Sequence, residues 1–265
     1  MASTTSTNPP RRGRPAPLRA VVRRLERPSP WIRRVVLGGG DLGQFSWPGP
    51  ASHLKLVLPL PGQTAPDLPA PDADGLVAYD RNRVIMRTYT PRAWDGDAGE
   101  LTIDVFIHGE GPASAWAEQT QPGHEVAVSR PRARYDADAT APWLVLAGDE
   151  SAVPAIGTIL EGGSLPDSTT VVIESDRDDD LGLPPGTAPT FVRRNGTPMA
   201  ALAEALADGV LPEGEGLVWV AGEARGIRGI RAHLLSTRGL PPTSVVTRGY
   251  WRQGEADHPD HDFGE

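Results

Sequence analysis

The hydrophobic rhythm of the chain changes near residue 136. Before that point apolar and polar residues alternate. Leu54, Leu56 and Leu58 share one side of a run whose other side carries His53 and Lys55. Leu101, Ile103, Val105 and Ile107 likewise face away from Asp104, Phe106 and His108. After it the apolar runs are continuous: Trp143 to Gly148, Val171 to Ile173, and Leu217 to Ala221. Alternation belongs to strands with one covered face, and continuous runs belong to strands covered on both faces. One chain carrying both patterns in sequence divides into an antiparallel β half and a parallel α/β half.

In the first half, Val21-Val22, Ile32 to Leu37, His53 to Leu58, Val84 to Thr90, Leu101 to His108 and Glu125 to Ser129 read as strands. Pro28-Ser29-Pro30, Gly38 to Asp41 and Gln121 to His124 supply turns between them. Six short strands and one short helix predict an antiparallel six-stranded barrel. Residues 59–75, rich in Pro, Asp and Gly, read as a flexible insertion. The Ser/Thr/Pro/Arg composition of residues 1–16 predicts disorder. The barrel domain then spans 17–135.

Residues 136–246 alternate strand and helix. Pro154 near a first turn is followed by Ile156, Ile159 and Leu160, and Thr197-Pro198 opens a helix with Met199, Leu202 and Leu206 inward. Ile227, Ile230, Leu234 and Leu235 mark a last helix, and Val245-Val246 a last strand. Functional loops of a parallel sheet lie at the carboxyl ends of its strands, here Gly148 to Ala152, Glu174 to Arg177 and Gly222 to Arg225. Residues 247–265 form a C-terminal segment ending in an acidic tail. His258 and His261 there stand among Asp257, Asp260 and Asp262, which reads as a disordered tail rather than a metal site.

Composition narrows the function. The 265 residues carry a net charge of -8, unlike a protein that neutralises nucleic-acid phosphates. No cysteine is present, so disulfides, a cysteine nucleophile and a cysteine-ligated iron–sulfur cluster are excluded. Neither a signal peptide nor a long apolar segment is visible, which predicts a cytoplasmic chain without stable membrane insertion.

Two stretches carry chemistry. Arg87-Thr88-Tyr89-Thr90, closed by Pro91, displays a cation, an aromatic face and two hydroxyls on an extended backbone. That set suits a flavin nucleotide: guanidinium to phosphate, phenol ring against flavin ring, hydroxyl or amide to its polar edge. About twenty residues on, Gly109-Glu110-Gly111-Pro112-Ala113-Ser114 combines a bare turn with a proline at a helix start. Free amides there make a seat for a pyrophosphate. A plain strand–turn–helix junction would look the same in isolation; its position after Arg87 to Thr90 favours the phosphate reading.

These pieces, together with His53-Leu54-Lys55-Leu56, Gly148-Asp149-Glu150-Ser151-Ala152-Val153-Pro154, Ala221-Gly222-Glu223 and Gly249-Tyr250-Trp251-Arg252-Gln253-Gly254, resemble the siderophore-interacting proteins. That family is a branch of the ferredoxin–NADP reductase superfamily and consists of FAD-containing ferric-siderophore reductases. The resemblance runs from about residue 17 to 254. It implies that Arg87 pairs with the FAD pyrophosphate, Tyr89 packs on the isoalloxazine and Thr90 bonds near its redox-active nitrogen. It implies further that His108 and the Gly111, Pro112, Ala113, Ser114 turn hold the remaining pyrophosphate and adenosine, with Thr88, Asp104 and Phe106 also in the cofactor site. Tyr250 or Trp251 would cover the flavin region.

The chain departs from the wider superfamily in having Asp149-Glu150 where a glycine-rich turn is usual and Ala221-Gly222-Glu223 where a Cys-Gly is usual. The siderophore branch shows the same replacement, so Asp149 and Glu150 are retained as cofactor-site candidates. The donor stays open between NADH, through Glu174 and Asp176 on a ribose diol, and NADPH, through Arg177, Arg193 and Arg194 on a 2′-phosphate. Reduced ferredoxin is a third donor, and a flavin-free siderophore carrier is the rival class. Lys55 and Arg130, with Arg132 and Arg134, are candidates for docking an anionic ferric siderophore.

Overall fold

The computed structural model describes residues 13–80, 82–109, 111–177 and 180–255. The antiparallel half contains β1 (Arg14–Pro15), β2 (Leu18–Ser29), β3 (Ile32–Gly38), β4 (Leu54–Leu58), β5 (Leu76–Val77), β6 (Ile85–Tyr89), β7 (Ala93–Asp95), β8 (Glu100–Phe106), α1 (Pro112–Gln119) and β9 (Glu125–Val128). Seven of these strands form one sheet in the order β6-β4-β9-β2-β3-β8-β7. The count exceeds the six expected because Ala93–Asp95 also pairs with Glu100 to Thr102, across an Asp95-capped hairpin. Strand β2 also runs through Pro28, where its pairing with β3 shifts register between Glu26 and Ser29. An irregularity of that kind tolerates a residue that cannot donate to the ladder.

The alternation places Leu54, Leu56, Leu58, Leu101, Ile103 and Val105 in one buried cluster closed by Trp116 of α1. The opposite face of β4 is covered too. Val57, Val84 and Ala127 pack beneath Leu68, Tyr79 and Met86, so the 59–84 segment acts as a cover over the sheet. Arg14–Pro15, counted by composition with a disordered leader, pairs with Leu76-Val77. Residues 1–12 of that leader lie outside the described residues, as do Glu110 and the tail bearing His258 and His261.

The second half contains β10 (Leu144–Asp149), α2 (Val153–Glu161), β11 (Thr169–Glu174), β12 (Thr190–Val192), α3 (Ala200–Ala207), β13 (Leu217–Glu223), α4 (Ala224–Ser236) and β14 (Val245–Trp251). Its five strands run in the order β12-β11-β10-β13-β14, all parallel. α3 and α4 cover one face through Leu202, Leu206, Ile227, Ile230 and Leu234, and α2 covers the other through Val153, Ile156 and Ile159. The continuous apolar runs are thereby explained. The chain leaves β10 toward β11 on one side and reaches β13 on the other, which makes the β10–β13 boundary the switch point where ligands bind in such sheets.

Two details differ from the sequence reading. Met199 precedes α3 rather than opening it, with φ 67°, and its side chain is fully buried. The carboxylate of Glu174 receives the amides of Met199 at 2.7 Å and Leu202 at 3.1 Å, and this fixes where the helix begins. Strand β14 does not end at Val246 but continues to Trp251, with an irregularity opposite Gly222 and Glu223.

The halves meet through α2. Thr158 Oγ1 accepts the amide of Ala51 at 2.9 Å, and Glu161 binds Arg92. A Cβ on Gly162 would lie 2.3 Å from Pro50 Cγ, so only glycine permits this approach. No helix among the described residues is long and apolar enough to cross a membrane.

Candidate cofactor site

A cavity of about 660 Å³ opens between the two halves, within the size range of small-molecule sites. The edge strand β6 supplies Arg87, Thr88 and Tyr89, with Thr90 following. The end of β8 supplies Asp104, Phe106 and then His108, and the start of α1 supplies Gly111 and Pro112. From the parallel half come Asp149 at the end of β10 and Glu150 after it, Arg177 after β11, Arg194 after β12, Arg248 to Trp251 along the end of β14, and Arg252 just past it.

The two sequence motifs therefore face one space. Tyr89 is half-buried, packed against the sheet core beside its strand partner Leu54, and burial pushes its phenol pKa up. The phenol is thus neutral. Thr90 is buried and stands near the Tyr250 hydroxyl of β14, so the two halves approach each other at this point of the cavity. Tyr250 is raised as well, again by burial. Gly111 is the N-cap of α1 and no side chain caps the helix, so its first amides are open to an acceptor on the cavity side.

Ala113, Ser114, Lys55 and Arg130 are not among the cavity-lining residues. The Ser114 hydroxyl turns back to the carbonyls of Phe106 at 3.3 Å and His108 at 3.5 Å, and Ala113 packs into the core. Asp104 lines the cavity but is held by both nitrogens of Arg34 at 2.7 and 2.8 Å, with Arg92 3.8 Å away. It is a buried structural acid with two cations. Lys55 is only 6% exposed and donates to Thr88 Oγ1 at 2.7 Å; on the same face of β4, Val57 packs beneath Leu68 and Tyr79. Arg130 is exposed beside Gln44, and Arg134 pairs with Asp136.

The acidic turn is neutralised from within. Glu150 accepts Arg194 at 2.7 Å and Ser175 Oγ at 2.8 Å, with Arg177 3.6 Å away. Burial opposes the charge on Arg194, but Glu150 and Glu174 outweigh it and its pKa is raised. Asp149, 2% exposed, accepts the amide and hydroxyl of Ser151 on one oxygen and the Trp251 indole at 2.7 Å on the other. Burial raises its pKa to about 6, against the lowering effect of those bonds. Glu174 is fully buried on the first amides of α3, so it is not placed to hold a ribose; Asp176 remains exposed.

Several cavity residues were not site candidates from the sequence, among them Arg248, on the part of β14 beyond Val246, and Arg252, just past its end; a Val-Val pair gives no sign that the strand continues. The Arg248 pKa is lowered, chiefly by burial, with Arg231 adding and Tyr250 opposing. The other cross-cavity contact, the Arg177 guanidinium 3.9 Å above Trp31 and 5.3 Å from the Phe106 ring, joins residues far apart in sequence. Among the described residues no cluster suited to a metal ion is found.

Residues 21–135 match the siderophore-interacting FAD-binding domain and residues 141–254 the siderophore-interacting protein model. The NADPH-dependent ferric-chelate reductase of Escherichia coli K12 is 30% identical over 237 residues, covering 87% of this chain and 91% of that one. The ferric vibriobactin reductase of Vibrio cholerae is 29% identical over 240 residues, covering 87% and 88%. The crystal structure of a siderophore utilization protein from T. fusca superposes with a TM-score of 0.77 at 33% identity, over 94% of this chain and 98% of that one. The chain belongs to the siderophore-interacting protein family, and its first half is a FAD-binding domain.

Proposed function

We propose that the protein is a ferric-siderophore reductase, in which FAD passes electrons from NAD(P)H to siderophore-chelated Fe(III) and Fe(II) is released. The observation that carries the reading is the cavity shared by Arg87, Tyr89 and Thr90, the uncapped start of α1, and the carboxyl ends of β10 and β14. When bound, FAD accepts two electrons from the nicotinamide and gives them up one at a time, which matches a two-electron donor to a one-electron acceptor.

The residues present fit that cofactor. Arg87 offers a guanidinium and α1 its first amides to the pyrophosphate, with Gly111 leaving the approach clear. Tyr89 offers a flat, half-buried ring packed against the sheet core. Thr88 and Thr90 set the polar edge, and Phe106 and His108, with ring centroids 6.3 Å apart, line the adenosine side. Asp104 acts through Arg34 and Arg92 as a support for that wall. The antiparallel half is then a FAD domain of barrel type, divided from the nucleotide domain between Tyr135 and Asp136.

For the donor we favour NADPH. With Glu174 committed to α3, the acid at the end of β11 is removed from a ribose diol, while Arg193 is exposed beside Arg194. Ferrous iron is a weaker Lewis acid toward hard oxygen chelators than ferric iron, so reduction itself loosens the complex. No proton-transfer group is needed at the iron. Exposed Arg130 remains the docking candidate for an anionic chelate; buried Lys55 supports Thr88 instead.

The test is the purified protein's colour. A reductase of this kind carries one FAD per chain and gives a yellow solution. A colourless protein that still binds ferric siderophore would be a carrier.

A further inference from the structure

The carboxylates that stand at the ends of β10 and β13 both engage the C-terminal strand. Asp149 Oδ2 takes the indole N–H of Trp251 at 2.7 Å. Glu223 Oε1 takes the amide of Gln253 at 3.3 Å, while its other oxygen caps α4 through Arg225 and Gly226 at 2.7 and 3.0 Å. The register irregularity opposite Gly222 and Glu223 brings Trp251, rather than Tyr250, level with Glu223. Room for this arrangement depends on Gly222: a Cβ there would lie 2.9 Å from Asp149 Oδ2 and 2.6 Å from Met199 Sδ. Acids in these two loops would repel a dinucleotide's phosphates if they faced it bare. Instead they are 2% and 3% exposed, with their oxygens turned onto donors of this chain.

We infer that Asp149 and Glu223 are positioning residues for the electron donor: they tether the strand end carrying Trp251 to the sheet, which keeps the cavity beside Tyr89 and Thr90 open to the nicotinamide. The inference rests on the reductase reading above. The indole lines the cavity wall without filling it. Freed from Asp149, the ring is able to swing into that space and compete with the donor. The tether is charge-sensitive, since a protonated carboxyl is a poorer acceptor for an indole N–H. The ionisable groups around Asp149 are Glu150 on the same turn, Tyr250 on β14 and Arg194 after β12.

The experiment is anaerobic stopped-flow reduction of the FAD-loaded full chain by NADPH, at varied concentration and from about pH 5 to pH 8. Asp149→Asn offers one acceptor oxygen where two are used, and Trp251→Phe keeps the ring but removes the N–H. Both variants should raise the NADPH concentration for half-maximal rate about tenfold, the worth of one charge-assisted hydrogen bond, with the saturating rate changed far less. In the unaltered protein that concentration should also rise as pH falls through the titration of Asp149, an inflection absent from Asp149→Asn. An inflection that persists in Asp149→Asn and vanishes in Glu150→Gln belongs to Glu150 and overturns the proposal. So do variants with unchanged NADPH dependence. Should Asp149→Asn not fold, Trp251→Phe carries the test alone. A parent protein that NADPH does not reduce contradicts the reductase reading instead, so the two failures are distinct.

Discussion

Glu161, at the end of α2, grips Arg92 of the antiparallel half through both guanidinium nitrogens, at 2.5 and 2.8 Å. Arg92 in turn stands 3.8 Å from Asp104, which Arg34 holds from the other side. A chain of alternating charge thus crosses from the antiparallel half to the parallel half beside the cavity. Arg92 is 8% exposed, so its charge relies on these partners rather than on water.

Removing either end of the inter-domain pair should therefore be unequal. Glu161→Ala leaves Arg92 near Asp104 and should cost about 1–2 kcal/mol. Arg92→Ala also removes a buried side chain and should cost about 2–4 kcal/mol. Urea unfolding of both variants measures this. Equal, negligible losses would show that the contact does not hold the halves together.

Arg87→Ala should release the cofactor without unfolding the protein, because among the described residues the Arg87 side chain hydrogen-bonds the Met86 carbonyl, at 2.8 Å, and no other group. Loss of one charge-assisted contact predicts FAD affinity about thirtyfold weaker. Gel filtration followed by absorbance reads the retained flavin, and circular dichroism checks the fold. Stoichiometric flavin in the variant would contradict the assignment of Arg87.

Asp149 gives stability a pH dependence of definite sign. Its folded pKa of about 6 lies above its ordinary value of 3.8, so between them the folded chain holds more protons than the unfolded one. The favourable contribution is complete below the unfolded value and is lost as pH rises through 6. Carrying the buried charge at neutral pH costs the fold about 2–3 kcal/mol. The difference in unfolding free energy between the parent and Asp149→Asn should shift by that amount between about pH 4 and pH 7. A difference independent of pH would refute it.

Much of the site was readable because its chemistry is local. Arg87 to Thr90 and Gly109 to Pro112 each sit within a few residues, and strand alternation decides which side chains share a face. Alternation also separated the two halves. The unreadable parts depend on partners distant in sequence. Glu174 looks like a ribose ligand until the amides of Met199 and Leu202 are seen to occupy it. Lys55 looks exposed by alternation, yet it is buried and bonded to Thr88. Ser114 looks like a phosphate ligand, but its hydroxyl closes the end of β8. Strand β14 extends past Val246 by pairing with Val220 to Glu223 of β13, and Asp149 and Glu223 hold Trp251 and Gln253 at and just past its end.

Arg194→Met should be more damaging than its surface position suggests. It would strip the 2.7 Å partner from Glu150 and the 3.3 Å partner from fully buried Glu174. The expected loss is about 2–4 kcal/mol, together with weaker use of NADPH. Thermal unfolding and the concentration of NADPH for half-maximal reduction measure the two parts. An unchanged midpoint would mean that Glu150 and Glu174 do not depend on this cation.

The most direct measurement is an anaerobic cycle followed at the flavin's visible absorbance. The FAD-loaded protein is mixed in turn with NADPH, NADH and reduced ferredoxin, and then with a ferric siderophore in the presence of a ferrous-iron trap. A ferric-siderophore reductase fed by NADPH should bleach with that donor and regain its yellow colour on adding the ferric complex, with trapped Fe(II) in proportion to the electrons delivered. A flavin that no donor bleaches, or that stays bleached in the presence of the ferric siderophore, would contradict it.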